Sequence, residues 1–129
     1  MIPKFRVWLP DPDVERMLRV KALVYESDKT RCVCGYAYDF YLEDEDATIM
    51  QSTGLLDKNG KEIFEGDVVD YNGRKAIVNW HSSYASFIYR FVDELHKRNA
   101  EWNPLYLAYY HFEVVGNKFE NPELLEVTE

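Results

Sequence analysis

"MQSTGLLDKNGKEIFEGDVVDYNGRKAIVNW", residues 50–80, carries two Asn-Gly pairs, Asn59-Gly60 and Asn72-Gly73. Asn-Gly between apolar runs is the strongest short hairpin signal, because both residues tolerate positive φ. The first pair follows Asp57 and Lys58 between Leu55-Leu56 and Ile63-Phe64, which predicts a tight turn. Gly66 stands where the chain must change direction, and Asp67 is placed to accept backbone N–H groups before a strand over 68–71. A two-residue turn at Asn72-Gly73 sets Tyr71 opposite Arg74, Asp70 opposite Lys75 and Val68 opposite Ile77. That register puts an apolar pair and an ion pair on one face. The partner strand over 75–80 is β-branched and aromatic, as strands prefer. The spacing of Gly54, Gly60, Gly66 and Gly73 fits turns between short strands and not a phosphate cradle.

Toward the N-terminus, "KFRVWL" at 4–9 alternates charged and apolar residues, and "DPD" at 11–13 is turn chemistry, so a first hairpin is expected. Its second arm, 15–26, puts Leu18, Val20, Ala22 and Val24 on one strand face, although helical spacing fits part of it. "RCVCGYAYDFYL" at 31–42 is aromatic, with Gly35 at a bulge or bend. Cys32 and Cys34 share a strand face; their loop is too short for an easy disulfide and no second pair completes a zinc site, so they read as reduced core thiols. Four acids, Glu43 to Asp46, repel one another and predict a hydrated loop or short helix start.

Toward the C-terminus, 83–99 fits strand and helix about equally, and reads as a strand over 86–91 followed by a short helix or loop. "EWNPLYLAYYHF" at 101–112, broken by Pro104, predicts a packed loop or helical turn against the sheet. A final strand over 112–119 contains Gly116 and Asn117 and is stopped by the Asn121-Pro122 step.

A chain of 129 residues with 47% hydrophobic and 16% aromatic content fits one domain with its own core. The net charge of −8 is uneven: residues 1–31 hold seven Lys or Arg against five acids, whereas 32–129 hold eight against eighteen. An acidic domain is a poor sequence-independent nucleic-acid binder unless its cations cluster. No apolar run reaches signal-peptide or membrane length, which predicts a cytoplasmic protein with no membrane partner.

No stretch has the spacing of a catalytic, metal or cofactor site. His81, His96 and His111 form no local metal motif. Glu65 and Asp67 flank a turn, where capping is the simpler reading than acid–base work. Ser82, Ser83 and Ser86 near His81 lack the context of an activated nucleophile, and the chain is expected not to be an enzyme.

The stretches "QSTGLLDKNGKEIFEGDVV" at 51–69, "EVVGNKFENPELL" at 113–125 and "PKFRVWLPDPDVERML" at 3–18 resemble the YopX family of small phage and prophage proteins. The resemblance leaves roughly 25–48 and 82–111 as divergent parts. It implies an accessory protein of mixed α/β but mainly β fold, with a small, strongly bent antiparallel sheet like an SH3 barrel and short helical segments. It implies an oligomeric assembly and carries over no catalytic residue. The domain is read as single over 1–129, with an N-terminal hairpin over 1–26 and a barrel-like core over 49–129.

Two candidate surfaces follow. Tyr84, Phe87, Tyr89, Trp102, Tyr106, Tyr109 and Tyr110 hold more aromatic area than a small barrel core easily encloses, which points to a protein interface with a second copy or a host factor. The alternative is a nucleic-acid face on the basic hairpin, from Lys4, Arg6, Arg16, Arg19 and Lys21 with Trp8 as a stacking ring, unless Trp8 is core.

Overall fold

A computed structural model describes residues 2–11, 13, 15–35, 39–97 and 101–126. The fold is mainly β, with a strongly curled antiparallel sheet forming a half-barrel and a few short helical turns. The helical segments among the described residues are single 3-10 turns of three or four residues, with no α-helix. The chain packs as two compact units, Met1–Gln51 and Ser52–Glu129.

In the first unit, β1 (Phe5–Leu9) pairs with β2 (Arg16–Arg19) as the expected hairpin, with Val7 opposite Leu18 and Trp8 opposite Met17. The arm expected over 15–26 is broken. β3 (Ala22–Tyr25) belongs to a different sheet, ordered β3-β4-β5 with β4 (Thr30–Val33) and β5 (Phe40–Tyr41). The exchange happens at two adjacent amides: Val20 N–H donates to the Phe5 carbonyl at 3.1 Å, and Lys21 N–H to the Val33 carbonyl at 2.7 Å. Side-chain alternation cannot report such a change, because the chain stays extended while its partner changes. Val7, Cys32 and Cys34 form the core of this unit, with Leu18, Val20, Leu23, Phe40, Leu42 and Ala47 packed around them.

The acidic run is a turn, as expected, but two of its carboxylates are engaged. Glu43 accepts the Thr30 N–H, and both oxygens of Asp44 accept from Lys29 Nζ at 2.9 Å.

β6 (Thr48–Leu56) pairs with β1 through Thr48–Gln51, and beyond that with β7 (Glu62–Phe64). Gly54 sits inside β6 at φ +77, where the β6–β7 register shifts between Ser52 and Leu56, so it marks a bulge and not a turn. The second unit continues with β8 (Asp67–Tyr71), β9 (Arg74–His81), β10 (Ser86–Phe91), β11 (Asn103–Pro104) and β12 (Glu113–Asn117), in the sheet order β11-β10-β9-β8-β12.

Asn72 and Gly73 adopt φ of +51° and +90°, and the strands pair Tyr71 with Arg74, Asp70 with Lys75 and Val68 with Ile77. The register is the one the sequence predicts. The expected Asp70–Lys75 ion pair is replaced by a turn bond, because the Asp70 carboxylate accepts the Gly73 N–H at 2.9 Å. The first Asn-Gly pair behaves differently. Gly60 has φ +83 but Asn59 is not among the positive-φ residues, and the turn closes one step further out, with Asp57 N–H donating to the Lys61 carbonyl at 2.7 Å. Asp57 itself imposes this longer turn, its Oδ1 accepting the N–H groups of Asn59 and Lys61 at 2.9 and 2.8 Å. Asp67 Oδ2 accepts the Phe64 N–H at 2.7 Å at the Gly66 bend, as anticipated.

Ile63, Val69, Ala76, Val78, Leu105 and Phe112 are the core of the second unit. Phe112 and Leu105 come from the 101–112 segment, which packs against the sheet through 3-10 turns at Leu105–Leu107 and Tyr109–His111. Fully burying one such side chain is worth about 1.5–3 kcal/mol. β12 ends at Asn117, sooner than expected, because the Asn117 side chain turns the chain: its Oδ1 accepts the N–H groups of Phe119 and Glu120. Pro122 then opens the 3-10 turn Pro122–Leu125.

Candidate functional site

The aromatic residues singled out from sequence divide into three sets. Phe87 and Tyr89 alternate with Ile88 on β10 and pack, with Tyr109, against the core cluster. Burial raises the Tyr89 phenol above its ordinary range. These three are core-edge residues, partly buried against that cluster.

A second set gathers where β9 returns into β10. The strand ends at His81, a 3-10 turn covers Ser82–Tyr84, and Ala85 takes φ +47 before Ser86 pairs with His81. Left-handed backbone at alanine costs roughly 1–2 kcal/mol, so the turn is held by what it makes. It lays Tyr84 on His81, and Trp102, which enters β11, completes the group: the three ring centroids lie 4.9 Å apart pairwise. Tyr84 remains 64% exposed. Next to it, Trp80 meets Phe87 edge-on at 5.0 Å.

The third set surrounds the last helical turns. Tyr106 and Leu107 are each 60% exposed and Tyr110 is 54% exposed. Tyr110 lies 4.1 Å from His111, which contacts Tyr71 at 5.5 Å. Sequence reasoning missed Leu107, Trp80 and the two histidines as members of these groups. Leu107 had a usable signal in its place beside Tyr106, whereas His81 and Trp102 meet only through the pairing of β10 with β11.

The basic candidates do not form one face. Arg6 and Arg19 are direct cross-strand partners, but Arg16 pairs with Leu9, one residue out of phase, and so stands on the opposite face. Lys21 lies beyond the change of sheet, its side chain running over Gly35, where a Cβ would collide with Nζ. Trp8 is buried core.

The titratable groups with displaced pKa have structural explanations. Burial pushes the Cys32 thiol up to about 12, with its hydrogen bond to Cys34 adding to the shift, and burial also raises Cys34; the sulfurs are 3.7 Å apart and free. Burial works to raise Asp57, but the N–H groups of Val114, Lys61 and Asn59 outweigh it and hold the carboxyl below its usual range. Asp93 is held low by hydrogen bonds from the Arg74 guanidinium, which lies 3.5 Å over the Phe91 ring. Among the described residues no group of three His, Cys, Asp or Glu is placed to hold a metal ion. No helix among them is long and apolar enough to cross a membrane.

A family model described as "YopX protein" matches residues 4–126. The chain belongs to the YopX family. Two solved structures are similar over almost the whole length. Protein EF1440 from Enterococcus faecalis is 28% identical, with 98% of this chain and 99% of that chain covered and a TM-score of 0.59. Protein yopX from Bacillus subtilis is 19% identical, with 98% of each chain covered and a TM-score of 0.60. A comparison with curated proteins gives no match. The family match runs through 82–111, a segment that looks divergent from its residues.

Proposed function

We propose that this YopX-family chain is a phage or prophage accessory protein that works in the bacterial cytoplasm by binding protein, not by catalysis. Its contact residues are exposed side chains of the second unit, Tyr84, Tyr106, Leu107 and Tyr110. The observation that carries the reading is the exposure of these four large side chains, each more than half open to solvent. Aromatic residues of this kind are enriched at interface centres, and open apolar area costs solubility unless something covers it. The displaced carboxyl and thiol groups support a non-catalytic role. Asp57 is occupied by backbone donors, and the raised cysteines are protonated thiols and therefore weak nucleophiles.

The test replaces Tyr84, Tyr106, Leu107 and Tyr110 together by Ser. Light scattering across protein concentration and affinity capture from a bacterial extract are then compared with wild type. The expected result is a self-assembly or a captured host protein that the variant loses while its circular dichroism stays unchanged. A folded variant that matches wild type in both assays refutes the reading.

A further inference from the structure

Strand edges in this protein are treated unequally. On β12 the outer N–H groups are taken by side chains: Val114 donates to Asp57 Oδ2 at 2.8 Å and Asn117 to Asn121 Oδ1 at 3.2 Å. Among the described residues β3 has no such cover. Glu26 N–H donates to the Lys29 carbonyl at 2.9 Å at the mouth of the β3–β4 hairpin. The alternation of an antiparallel ladder then aims Ala22 and Val24 at β4, and turns the N–H and C=O of Leu23 and Tyr25 away from it. Because β3 is the last strand of the β3-β4-β5 sheet, those groups form a free edge among the described residues. Ala22–Tyr25 contains no Pro, Gly or charged residue, the devices that normally blunt such an edge, and Tyr25 is 81% exposed.

We propose that the free edge of β3 pairs with the same edge of a second copy of this chain, antiparallel about a two-fold axis at Val24. Ladder bonds form only where outward-facing residues meet outward-facing residues, which restricts the register. Centring on Val24 meets that condition. Leu23 and Tyr25 of one copy exchange N–H···O=C bonds with Tyr25 and Leu23 of the other, and the exposed Tyr25 ring gains Leu23 as its cross-strand neighbour. Val24 faces itself across the closely spaced pair, Ala22 meets Glu26 and Lys21 meets Ser27, so no like charges are opposed. The result is a continuous sheet β5-β4-β3-β3-β4-β5. A contact this short buries less than stable dimers do, so the dimer dissociates on dilution. The surface lies in the first unit and goes beyond the aromatic surface of the proposed function.

The experiment is sedimentation equilibrium of wild type, V24E, V24K and an equimolar mixture of the two variants, over a wide concentration range. In one copy the introduced carboxylate of V24E stands across from Arg31, a favourable neighbour. In the dimer it meets its own copy at about 4.5 Å between Cα atoms, where like charges repel. Wild type is expected to rise from one-copy to two-copy mass, each variant to stay at one copy, and the mixture to regain two. Wild type at one-copy mass throughout overturns the proposal, as does a dimer that V24E leaves intact or a folded mixture that stays at one copy. A wild-type dimer lost only in the Tyr84, Tyr106, Leu107, Tyr110 variant would assign self-association to the aromatic surface, refuting the β3 edge while leaving the proposed function standing.

Discussion

Replacing Asp57 by Asn tests whether one buried carboxylate ties the β6–β7 turn to β12. Asp57 is 6% exposed, and its two oxygens accept three backbone N–H groups: Asn59 and Lys61 on Oδ1, Val114 on Oδ2 at 2.8 Å. An amide of the same shape keeps one acceptor oxygen. If that oxygen stays with the turn, its NH2 faces the Val114 N–H, donor against donor; if it turns to Val114, the turn loses both bonds. A hydrogen bond to a charged group contributes about 1.5–3 kcal/mol, and an unpaired buried donor costs about 1–3 kcal/mol, so the Asn variant should lose roughly 2–4 kcal/mol. Urea unfolding followed by Trp80 and Trp102 fluorescence in a Trp8→Phe background reports on the second unit. The same bonds hold the folded carboxyl below the ordinary value of 3.8, so the stability they give is complete above pH 4–5 and disappears as pH falls through the lowered folded pKa. The gap between wild type and the Asn variant should therefore close on acidification below the unfolded value. A variant within about 0.5 kcal/mol of wild type at neutral pH, or a gap that stays constant down to acid, would refute the reasoning.

Three further outcomes are expected. A Cβ on Gly116 would lie 2.5 Å from Asn121 Oδ1 and 2.8 Å from Leu124 Cδ1, so Gly116→Ala should cost about 1–3 kcal/mol by overpacking; a thermal midpoint equal to wild type speaks against that packing. Ala85 holds φ +47, so Ala85→Gly should raise stability by about 0.5–1 kcal/mol, and a lowered melting temperature would count against a strained turn. The Cys32 and Cys34 thiols, buried and raised in pKa, should react with Ellman's reagent at pH 8 far more slowly than in urea; equal rates would refute their burial in the first core.

Much of the second unit could be read from its residues because its signals are local. The Asn72-Gly73 turn fixes its own register through the backbone of two residues, and that register carries the alternation of β8 and β9 with it. The strand over 86–91 and the packed 101–112 segment were legible for the same reason. Asp57 was visible only as a turn residue; its bond to Val114 spans 57 positions, which no local pattern encodes. The candidate surface was half legible. Tyr84, Tyr106 and Tyr110 are exposed, whereas Phe87, Tyr89 and Tyr109 look identical to them in sequence and are drawn onto the core.

The sequence by itself determined a mainly β chain and its tight turns, since these rest on short-range backbone preferences and residue spacing, and its likeness to the YopX family, which is carried by whole stretches such as 51–69 and 113–125. Tertiary structure alone decided where the 16–25 segment leaves β1 for β4 and which aromatic rings are covered. Those outcomes depend on which distant strand offers a carbonyl or an apolar face. The β3 edge belongs with them: among the described residues no strand lies beyond β3, a fact of sheet order and not of residue type.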